Sequence, residues 1–329
     1  MADISNAARD LITGSVVCDL TSPWGPGFEN KEEALMRFRR AGFSYISLTV
    51  GGDFHDMATT VRQIGTVRAR FAAAPDEYVL ADSVEDIRRA KRTGKTAIGL
   101  HFQGTRCFDD DVTMVDVYYR LGIRWALLAY NQKNSVGDGC HERTDAGLSR
   151  YGIALIKEMN RVGMFVDCTH SGYRTTMDAM EISTAPVIFS HSVARALKDH
   201  QRNISDDQIQ ACARTGGIIG LNGVGFFLGD NDASATRLAD HVDHMAQLIG
   251  ARHLALGLDW VYFMDTMLAL YHAMPDKYPE GYPSPPWHFF EPEQLGELVE
   301  VLLRRGYKDD EVRGILGENF LRVAATVWK

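Results

Sequence analysis

The stretch YGIALIKEMNRVGMFVDCTH, residues 151–170, combines two local patterns. Its first half, Tyr151–Arg161, is amphipathic and predicts a helix, and the glycine that follows predicts the end of that helix. Its second half is a short apolar run, Phe165–Cys168, which predicts a buried strand, and the polar residues Thr169 and His170 come directly after it. A helix that leads into a buried strand through a short turn is the repeating unit of a parallel sheet.

The same alternation of short apolar runs and amphipathic segments extends along almost the whole chain. It predicts helices at Lys31–Ala41, Val84–Arg92, Tyr151–Arg161, Arg174–Glu181 and Asp206–Arg214. It also predicts eight strands, at Ser15–Asp19, Tyr45–Val50, Ala97–Gln103, Trp125–Tyr130, Phe165–Cys168, Val187–Ser190, Gly217–Asn222 and Leu254–Asp259. Eight parallel strands with interposed helices predict an α/β fold, namely a (β/α)8 TIM-like barrel.

Length alone leaves one domain or two, because the chain has 329 residues and α/β barrels routinely pass about 250 residues as one unit. After the last predicted strand come an irregular segment rich in aromatic residues and proline, Tyr278–Pro292, and an amphipathic helix, Gln294–Arg305. No repeat, low-complexity tract or Gly/Ser linker divides the chain. We therefore predict a single domain over residues 1–329, in which residues 261–329 pack on the barrel.

Composition excludes several classes of partner. The 35 basic and 43 acidic residues give a formal net charge of −8, without a run of Lys or Arg that could follow a nucleic-acid backbone. No apolar stretch reaches the roughly 18 residues of a membrane helix, and the first residues lack a signal-peptide pattern, so we expect a cytoplasmic protein without a membrane partner. The five cysteines form no CxxC pair, so a zinc site would need other ligands.

Polar residues stand at the carboxyl ends of most predicted strands, and this end carries the active site in a (β/α)8 barrel. His170 and His191 lie at the ends of the fifth and sixth strands, and Asp259 ends the eighth. Imidazole suits zinc and an unpaired carboxylate suits a general base, so these three could converge on one metal ion or one water. His101 and Gln103 share one face of the third strand, so either both point at the pocket or both point into the barrel wall.

Long stretches between Val112 and Asp259, and one near the C-terminus, carry a recognisable family pattern. They are DVYYRLGIRWALLAYNQKN (116–134), GLSRYG (147–152), KEMNRVGMFVDCTH (157–170), APVIFSHSVARAL (185–197), HQRNISDDQ (200–208), RTGGIIGLNG (214–223), LIGARHLALGLDW (248–260) and LRRGYKDDEVRGILGENFLRV (303–323). In these stretches the chain resembles the membrane dipeptidase (renal dipeptidase) family, peptidase family M19. Members of that family are zinc hydrolases of the amidohydrolase superfamily, so the resemblance implies the same barrel and a small dipeptide-type substrate.

The resemblance also implies site residues at matched positions. The two zinc-binding histidines of the family's fifth and sixth strands match His170 and His191, and the aspartate of its eighth strand matches Asp259. The substrate-contacting arginine of the family matches Arg202, which Asn203 follows.

Three positions depart from the family pattern. The family's first strand carries a zinc-binding His-x-Asp pair, which the stretch VVCDLTSPW, residues 16–24, lacks in every register. The glutamate that bridges two zinc ions is replaced by Gln103, and a substrate-contacting histidine is replaced by Tyr130. Because a neutral amide does not offset the repulsion between two dications, we predict that the first metal position is empty.

These matches and losses predict a metallohydrolase that cleaves a C–N amide bond of a small carboxylated substrate with at most one zinc ion. His170 and His191 would hold the ion, with a third ligand from Gln103, His101 or Asp259. Asp259 would take the proton from the attacking water and return it to the leaving amine.

Four further residues complete the predicted site. Arg202 would bind the substrate carboxylate, Asn203 and Asn131 would contact the substrate, and Tyr130 would donate to the developing oxyanion. Members of the family commonly form homodimers, and we expect the same assembly here.

Two alternatives to the dipeptidase remain open at this point. The replacement at Tyr130 favours a hydrolase of a different small amide or betaine-type metabolite. The loss of His-x-Asp and of the bridging glutamate favours a metal-free, non-catalytic barrel that binds a small ligand. In each case the loop at residues 140–142 could overhang the pocket, and Trp24 and Trp260 could form part of its wall.

Overall fold

The computed structural model describes residues 4–25, 27–273 and 284–329. Part of the predicted proline-rich segment, residues 278–283, lies outside the described residues. No helix in the described ranges is both long enough and apolar enough to cross a bilayer.

Within the described residues the strands form one parallel sheet. The strands are β1 (Cys18–Ser22), β2 (Tyr45–Gly52), β3 (Tyr78–Leu80), β4 (Thr96–Gln103), β5 (Ile123–Leu127), β6 (Phe165–Asp167), β7 (Ile188–Ser192), β8 (Ile218–Leu221) and β9 (Leu254–Leu256). Their order around the sheet is β1-β2-β4-β5-β6-β7-β8-β9, and β3 pairs with β4 beside this path. Each of the eight predicted strands overlaps one strand of this path.

Hydrogen bonds between the two ends of this path bring the first and last strands together. The backbone N–H of Leu258 donates to the Asp19 carboxylate at 2.7 Å, and the N–H of Asp259 donates to the carbonyl oxygen of Thr21 at 3.2 Å. The eight strands therefore form a nearly closed barrel, and the predicted (β/α)8 TIM-like fold is confirmed.

The helices alternate with the strands and continue beyond the last of them. They are α1 (Asn6–Gly14), α2 (Lys31–Ala41), α3 (Met57–Ala72), α4 (Val84–Arg92), α5 (Met114–Arg120), α6 (Arg150–Val162), α7 (Tyr173–Ile182), α8 (Asp206–Arg214), α9 (Gly225–Leu228), α10 (Ala235–Ile249), α11 (Met264–Ala273), α12 (Leu295–Arg304), α13 (Asp309–Arg313) and α14 (Asn319–Val327). Helices α2, α4 and α8 have the predicted bounds. Local end signals explain this agreement, since Gly42 ends α2 in the left-handed conformation and capping boxes begin α4 and α8.

Most strands differ from the prediction by one to three residues at their ends, and one strand was not predicted. The first strand was expected at Ser15–Asp19 but lies at Cys18–Ser22, because the polar end of this segment pairs with β2 as far as Ser22. Strand β3 was missed because it has three residues, two of them only half-buried, and so leaves a weak apolar signal.

The C-terminal helices share a core with the barrel. Leu298 and Val299 of α12 belong to the same buried cluster as Leu11 of α1. Phe320 of α14 packs its ring against Tyr45 of the barrel, with ring centres 5.3 Å apart. This packing matches the expected position of the C-terminal segment, and the single-domain interpretation of residues 1–329 stays a prediction.

One buried carboxylate connects three loops at the carboxyl end of the barrel. Asp53, which follows β2, accepts the backbone N–H groups of Thr105 and Arg106 through Oδ1 at 2.8 and 3.1 Å. Its Oδ2 accepts the N–H of Tyr130 at 2.9 Å and the side-chain amide of Asn134 at 3.0 Å. The loops after β2, β4 and β5 are therefore held in place by a single side chain that sequence reasoning did not identify.

We expect Asp53→Ala to lower the free energy of unfolding by about 3 kcal/mol, because four donors lose a charged acceptor in a buried position. Urea denaturation followed by circular dichroism measures this change. Asp76→Ala removes an exposed carboxylate outside the barrel mouth and is the matched control, with an expected change within about 0.5 kcal/mol. Equal stabilities of the two variants would contradict the role of Asp53.

Candidate functional site

Two histidines meet at the carboxyl end of the barrel. His170 directly follows β6, His191 lies in β7, and their Nε2 atoms are 3.0 Å apart. His170 also lines a pocket of about 360 Å³ together with Gln103, Tyr130 and Asp259. Residues that the sequence analysis selected separately on four strands therefore surround one cavity.

The ring of His170 is oriented from two sides. Its Nδ1 lies 2.6 Å from the side-chain oxygen of Asn131, so Nδ1–H donates to this buried amide and Nε2 carries the lone pair. The ring of Tyr130 stacks on the imidazole with ring centres 4.1 Å apart. Asn131, predicted as a substrate contact, thus lies behind His170 and fixes its orientation.

His191 has hydroxyl partners instead of an amide. Its Nδ1 lies 2.8 Å from Oγ of Ser190 and 3.1 Å from Oγ1 of Thr21. Hydroxyl groups can donate or accept, so His191 can adopt either neutral tautomer. Burial, reinforced by the nearby Arg202 guanidinium, lowers the pKa of both His170 and His191 well below the usual range, and both rings are neutral near pH 7.

Asp259 completes the group at the floor of the pocket. Burial raises the pKa of its carboxyl to about 6, although the Arg202 charge and a hydrogen bond from Asn222 at 3.3 Å oppose the shift. Asn131, His170 and Asp259 all have left-handed backbone conformations, with φ of 62°, 65° and 52°. Such conformations are uncommon for residues other than glycine and tend to cluster at functional sites.

Arg202 and Asn203 have different environments. Arg202 is 3% exposed, its Nη2 donates weakly to the carbonyl oxygen of His191 at 3.4 Å, and its Nε has no partner among the described residues. The amide group of Asn203 donates to the carbonyl oxygens of Lys198 and Phe227 at 2.9 and 2.8 Å. Arg202 therefore keeps a donor for an anion, while the amide hydrogens of Asn203 are used to hold its own loop.

The structure separates His101 from Gln103, which the sequence analysis treated together. The nitrogens of His101 lie 2.8 and 2.9 Å from the hydroxyls of Ser47 and Thr49, and its ring stacks on Trp125 inside the barrel. Gln103 donates to Thr49 at 3.2 Å but still lines the pocket. Of the two, Gln103 is therefore the one placed to contact a ligand.

The first strand has no metal-binding pair. Asp19 is buried, its Oδ1 accepts the N–H of Leu258, and its Oδ2 has no hydrogen-bond partner among the described residues. Burial raises the pKa of the Asp19 carboxyl well above its usual range. The hydroxyl of Thr21 is directed at His191, so this strand supports the histidine pair and the barrel closure.

The residues present fit one divalent cation better than two. No group of three or more His, Cys, Asp or Glu side chains in the described part of the chain could hold a metal ion. The Nε2 atoms of His170 and His191 nevertheless converge, and each ring is oriented through Nδ1, as is usual for metal-bound histidines. Gln103 could add an amide oxygen, and among the described residues that line the pocket Asp259 is the one carboxylate, where two neighbouring dications would need more negative charge.

Sequence reasoning missed most of the pocket wall. The wall is largely aromatic and includes Trp24, Phe28, Phe54, Phe226 and Trp287, which come from four separate segments of the chain. Trp24 had been selected because it follows the first strand, and an adjacent pair such as Phe226-Phe227 after the seventh predicted strand was a further available signal.

Two other predicted wall elements lie elsewhere. None of residues 140–142 is among the described residues that line the pocket, and the N–H of Cys140 donates to the carbonyl oxygen of His170 at 2.8 Å. Trp260 lines a neighbouring surface groove together with Arg37 and Glu291, and it does not line the main pocket.

The hydrogen bonds predict definite histidine tautomers in the metal-free protein. His170 should be protonated at Nδ1 and His191 at Nε2, because the short Nε2 contact needs one donor and one acceptor. Nitrogen-15 NMR of the imidazole rings shows which nitrogen of each ring carries the proton. Addition of zinc should convert His191 to the Nδ1–H form without changing the tautomer of His170.

His241 is an internal control for this measurement. Its Nδ1 accepts the N–H of Ala194 and its Nε2 faces the carbonyl oxygen of Leu228, so it should stay protonated at Nε2 throughout. A His170 protonated at Nε2 would contradict the assigned network.

Comparisons with known proteins place this geometry in a family. A dipeptidase of Schizosaccharomyces pombe described as uncharacterized is 31% identical over 290 residues, which cover 84% of this chain and 64% of that protein. A dipeptidase of Claviceps purpurea is 30% identical over 275 residues, which cover 82% of this chain and 60% of that protein. The chain therefore spans less than two thirds of the length of these relatives.

A solved structure and a family model agree with these relatives. An amidohydrolase from Pseudomonas aeruginosa superimposes with a TM-score of 0.88 at 30% identity, covering 98% of this chain and 99% of that chain. Residues 27–269 match the model of the membrane dipeptidase family, peptidase family M19. The barrel, the histidine pair and these similarities together show that the chain belongs to the membrane dipeptidase family.

Proposed function

We propose that this protein is a dipeptidase-like metallohydrolase that cleaves the C–N amide bond of a small carboxylated substrate. The observation that carries the proposal is that His170 and Asp259 line one pocket and that Nε2 of His170 lies 3.0 Å from Nε2 of the buried His191. Membership of a family of dipeptidases supports a dipeptide-type substrate.

One zinc ion fits the proposed site. His170 and His191 would hold it, with the amide oxygen of Gln103 as third ligand and Asp259 as the other candidate. A bound zinc ion supplies a water whose pKa is lowered toward about 7. His101 is the least suitable candidate, since both of its nitrogens lie within hydrogen-bond distance of hydroxyl groups of β2.

The side chains around this position have separate roles in the proposed reaction. Asp259 accepts the proton of the attacking water and returns it to the leaving amine, because a carboxyl with a pKa of about 6 exchanges protons readily near neutral pH. Tyr130 donates its hydroxyl to the developing oxyanion, and its backbone bond to Asp53 fixes its position.

Arg202 supplies the attraction for the substrate carboxylate. Its guanidinium is buried, and one of its N–H groups has no partner among the described residues. A substrate carboxylate nearby would offset the cost of burying the charge and would accept a hydrogen bond from that N–H group. Asn131 and Asn203 act one step away from the substrate, by holding His170 and the loop of Arg202.

A metal-free ligand-binding barrel is the second candidate. It is favoured by the direct contact between the Nε2 atoms of His170 and His191. Because a hydroxyl group can donate to Nδ1 of His191, its Nε2–H can donate to His170, and no cation is needed between the two rings. Homodimer formation and a cytoplasmic location remain predictions, the first from the family resemblance and the second from composition.

His191→Ala should lower kcat/KM for a dipeptide by more than about 100-fold, because a direct ligand contributes more than the groups that orient it. Removal of metal with a chelator should have the same effect, and zinc should restore the wild-type enzyme but not the variant. A panel of L,L- and L,D-dipeptides measures this.

His244→Ala is the control, since His244 pairs with Asp206 on helices outside the barrel mouth. Activity that survives both chelation and His191→Ala would exclude the zinc hydrolase. No turnover of any dipeptide, with no zinc binding, would favour the metal-free barrel.

The dependence of kcat/KM on pH should report the ionisation of the Asp259 carboxyl. Asp259 must be ionised to accept a proton, so kcat/KM should fall as the pH decreases through about 6. Asn222→Ala removes a donor that stabilises the ionised form, so the acid limb should move to higher pH, by up to about one unit. Identical acid limbs in the two proteins would contradict the assignment.

A further inference from the structure

The pocket above the histidine pair has an aromatic wall that the proposed reaction does not require. Its rings come from several loops: Trp24 and Phe28 follow β1, Phe54 follows β2, and Phe226 belongs to α9 after β8. Trp287 closes another side and packs on Phe226 with ring centres 5.5 Å apart. Aromatic rings therefore surround the cavity on more than one side, as in a cage.

The charges around this cavity complement the rings. Among the described residues that line it, Asp259 is the one carboxylate, and no lysine or arginine lines it. The face of an aromatic ring carries partial negative charge, so a cation in the cavity would be attracted by the rings and by Asp259. The buried Arg202 guanidinium donates to the carbonyl oxygen of His191, and its charge acts on both histidines and on Asp259, so it can attract the carboxylate of a ligand.

The wall discriminates between kinds of cation. The free ammonium group of an ordinary dipeptide needs acceptors for three N–H donors. Most of the described residues that line the cavity, such as Val224 and Leu270 beside the rings, offer no side-chain acceptor, although Thr49, Gln103 and Asp259 do. A quaternary ammonium group has no N–H, and its methyl groups carry the charge against the rings. Aromatic cages are the usual sites for such groups.

We propose that the pocket binds a zwitterion of the betaine class, with its alkylated ammonium group inside the aromatic cage and its carboxylate directed toward Arg202. This inference rests on the proposed function, because it places the ligand in the pocket of the proposed hydrolase. Binding can nevertheless be measured without any hydrolysis. The proposed ligand class has an alkylated ammonium group, unlike the free amino group of an ordinary dipeptide.

The decisive comparison uses two ligands of equal shape. Glycine betaine and the carboxylate in which a tert-butyl group replaces its trimethylammonium group are titrated separately into the full-length protein by calorimetry. We expect glycine betaine to bind about tenfold more tightly, or more, because the cation–π attraction is absent from the neutral analogue. Equal affinity, preference for the tert-butyl compound, or no binding of glycine betaine would overturn the proposal.

Variants of the wall localise the effect. Trp287→Leu and Phe54→Leu keep an apolar side chain but remove a ring, so each should weaken glycine betaine at least about fivefold and change the neutral analogue less than about twofold. Phe54 is half-buried, so Phe54→Leu should fold and can be measured even if Trp287→Leu does not fold. Tyr173→Leu, which alters an exposed ring on α7, is the control and should change neither affinity. An unchanged preference for glycine betaine in both wall variants would also overturn the proposal.

The same measurements separate this inference from the proposed hydrolase. Tight binding of glycine betaine without turnover of any amide would contradict the hydrolase alone. Rapid hydrolysis of ordinary dipeptides without binding of glycine betaine would contradict the cage alone.

Discussion

The contact between His170 and His191 is the constraint on which the rest of the site depends. Two neutral imidazoles face each other with their Nε2 atoms 3.0 Å apart in a buried position, which requires either a shared proton or a cation between them. Asn131 fixes one ring, and the hydroxyls of Ser190 and Thr21 leave the other free to change tautomer. The strands and loops around the pair therefore orient both imidazoles through hydrogen bonds within the protein.

The balance of charge around the histidine pair bears on how many metal ions the proposed site would hold. Gln103 contributes a neutral amide, burial raises the pKa of the Asp19 carboxyl, and the Arg202 guanidinium adds positive charge beside the histidines. Among the described residues that line the pocket, Asp259 is the one acidic group. So little negative charge is consistent with our proposal of a single ion and an anionic group on the substrate.

The fold was largely predictable because its signals are local. Apolar runs and helix caps determine the bounds of α2, α4 and α8, and a parallel barrel follows from their alternation with strands. The convergence of His170, His191 and Asp259 was also predictable, since strand ends meet in such a barrel. The orientation of His101 and the loop contacts of Asp53 were not, because both depend on partners from distant strands. The aromatic cage was missed for the same reason, as its rings come from loops without a common sequence pattern.

Anomalous diffraction at the zinc edge, on crystals grown with zinc, tests the central claim most directly. We expect one peak between His170 and His191 and none beside Asp19 and Thr21, because the first strand offers no imidazole and no carboxylate bridges the two positions. A second peak beside Asp19, or full occupancy away from the two histidines, would contradict the account of a single metal position at this pair.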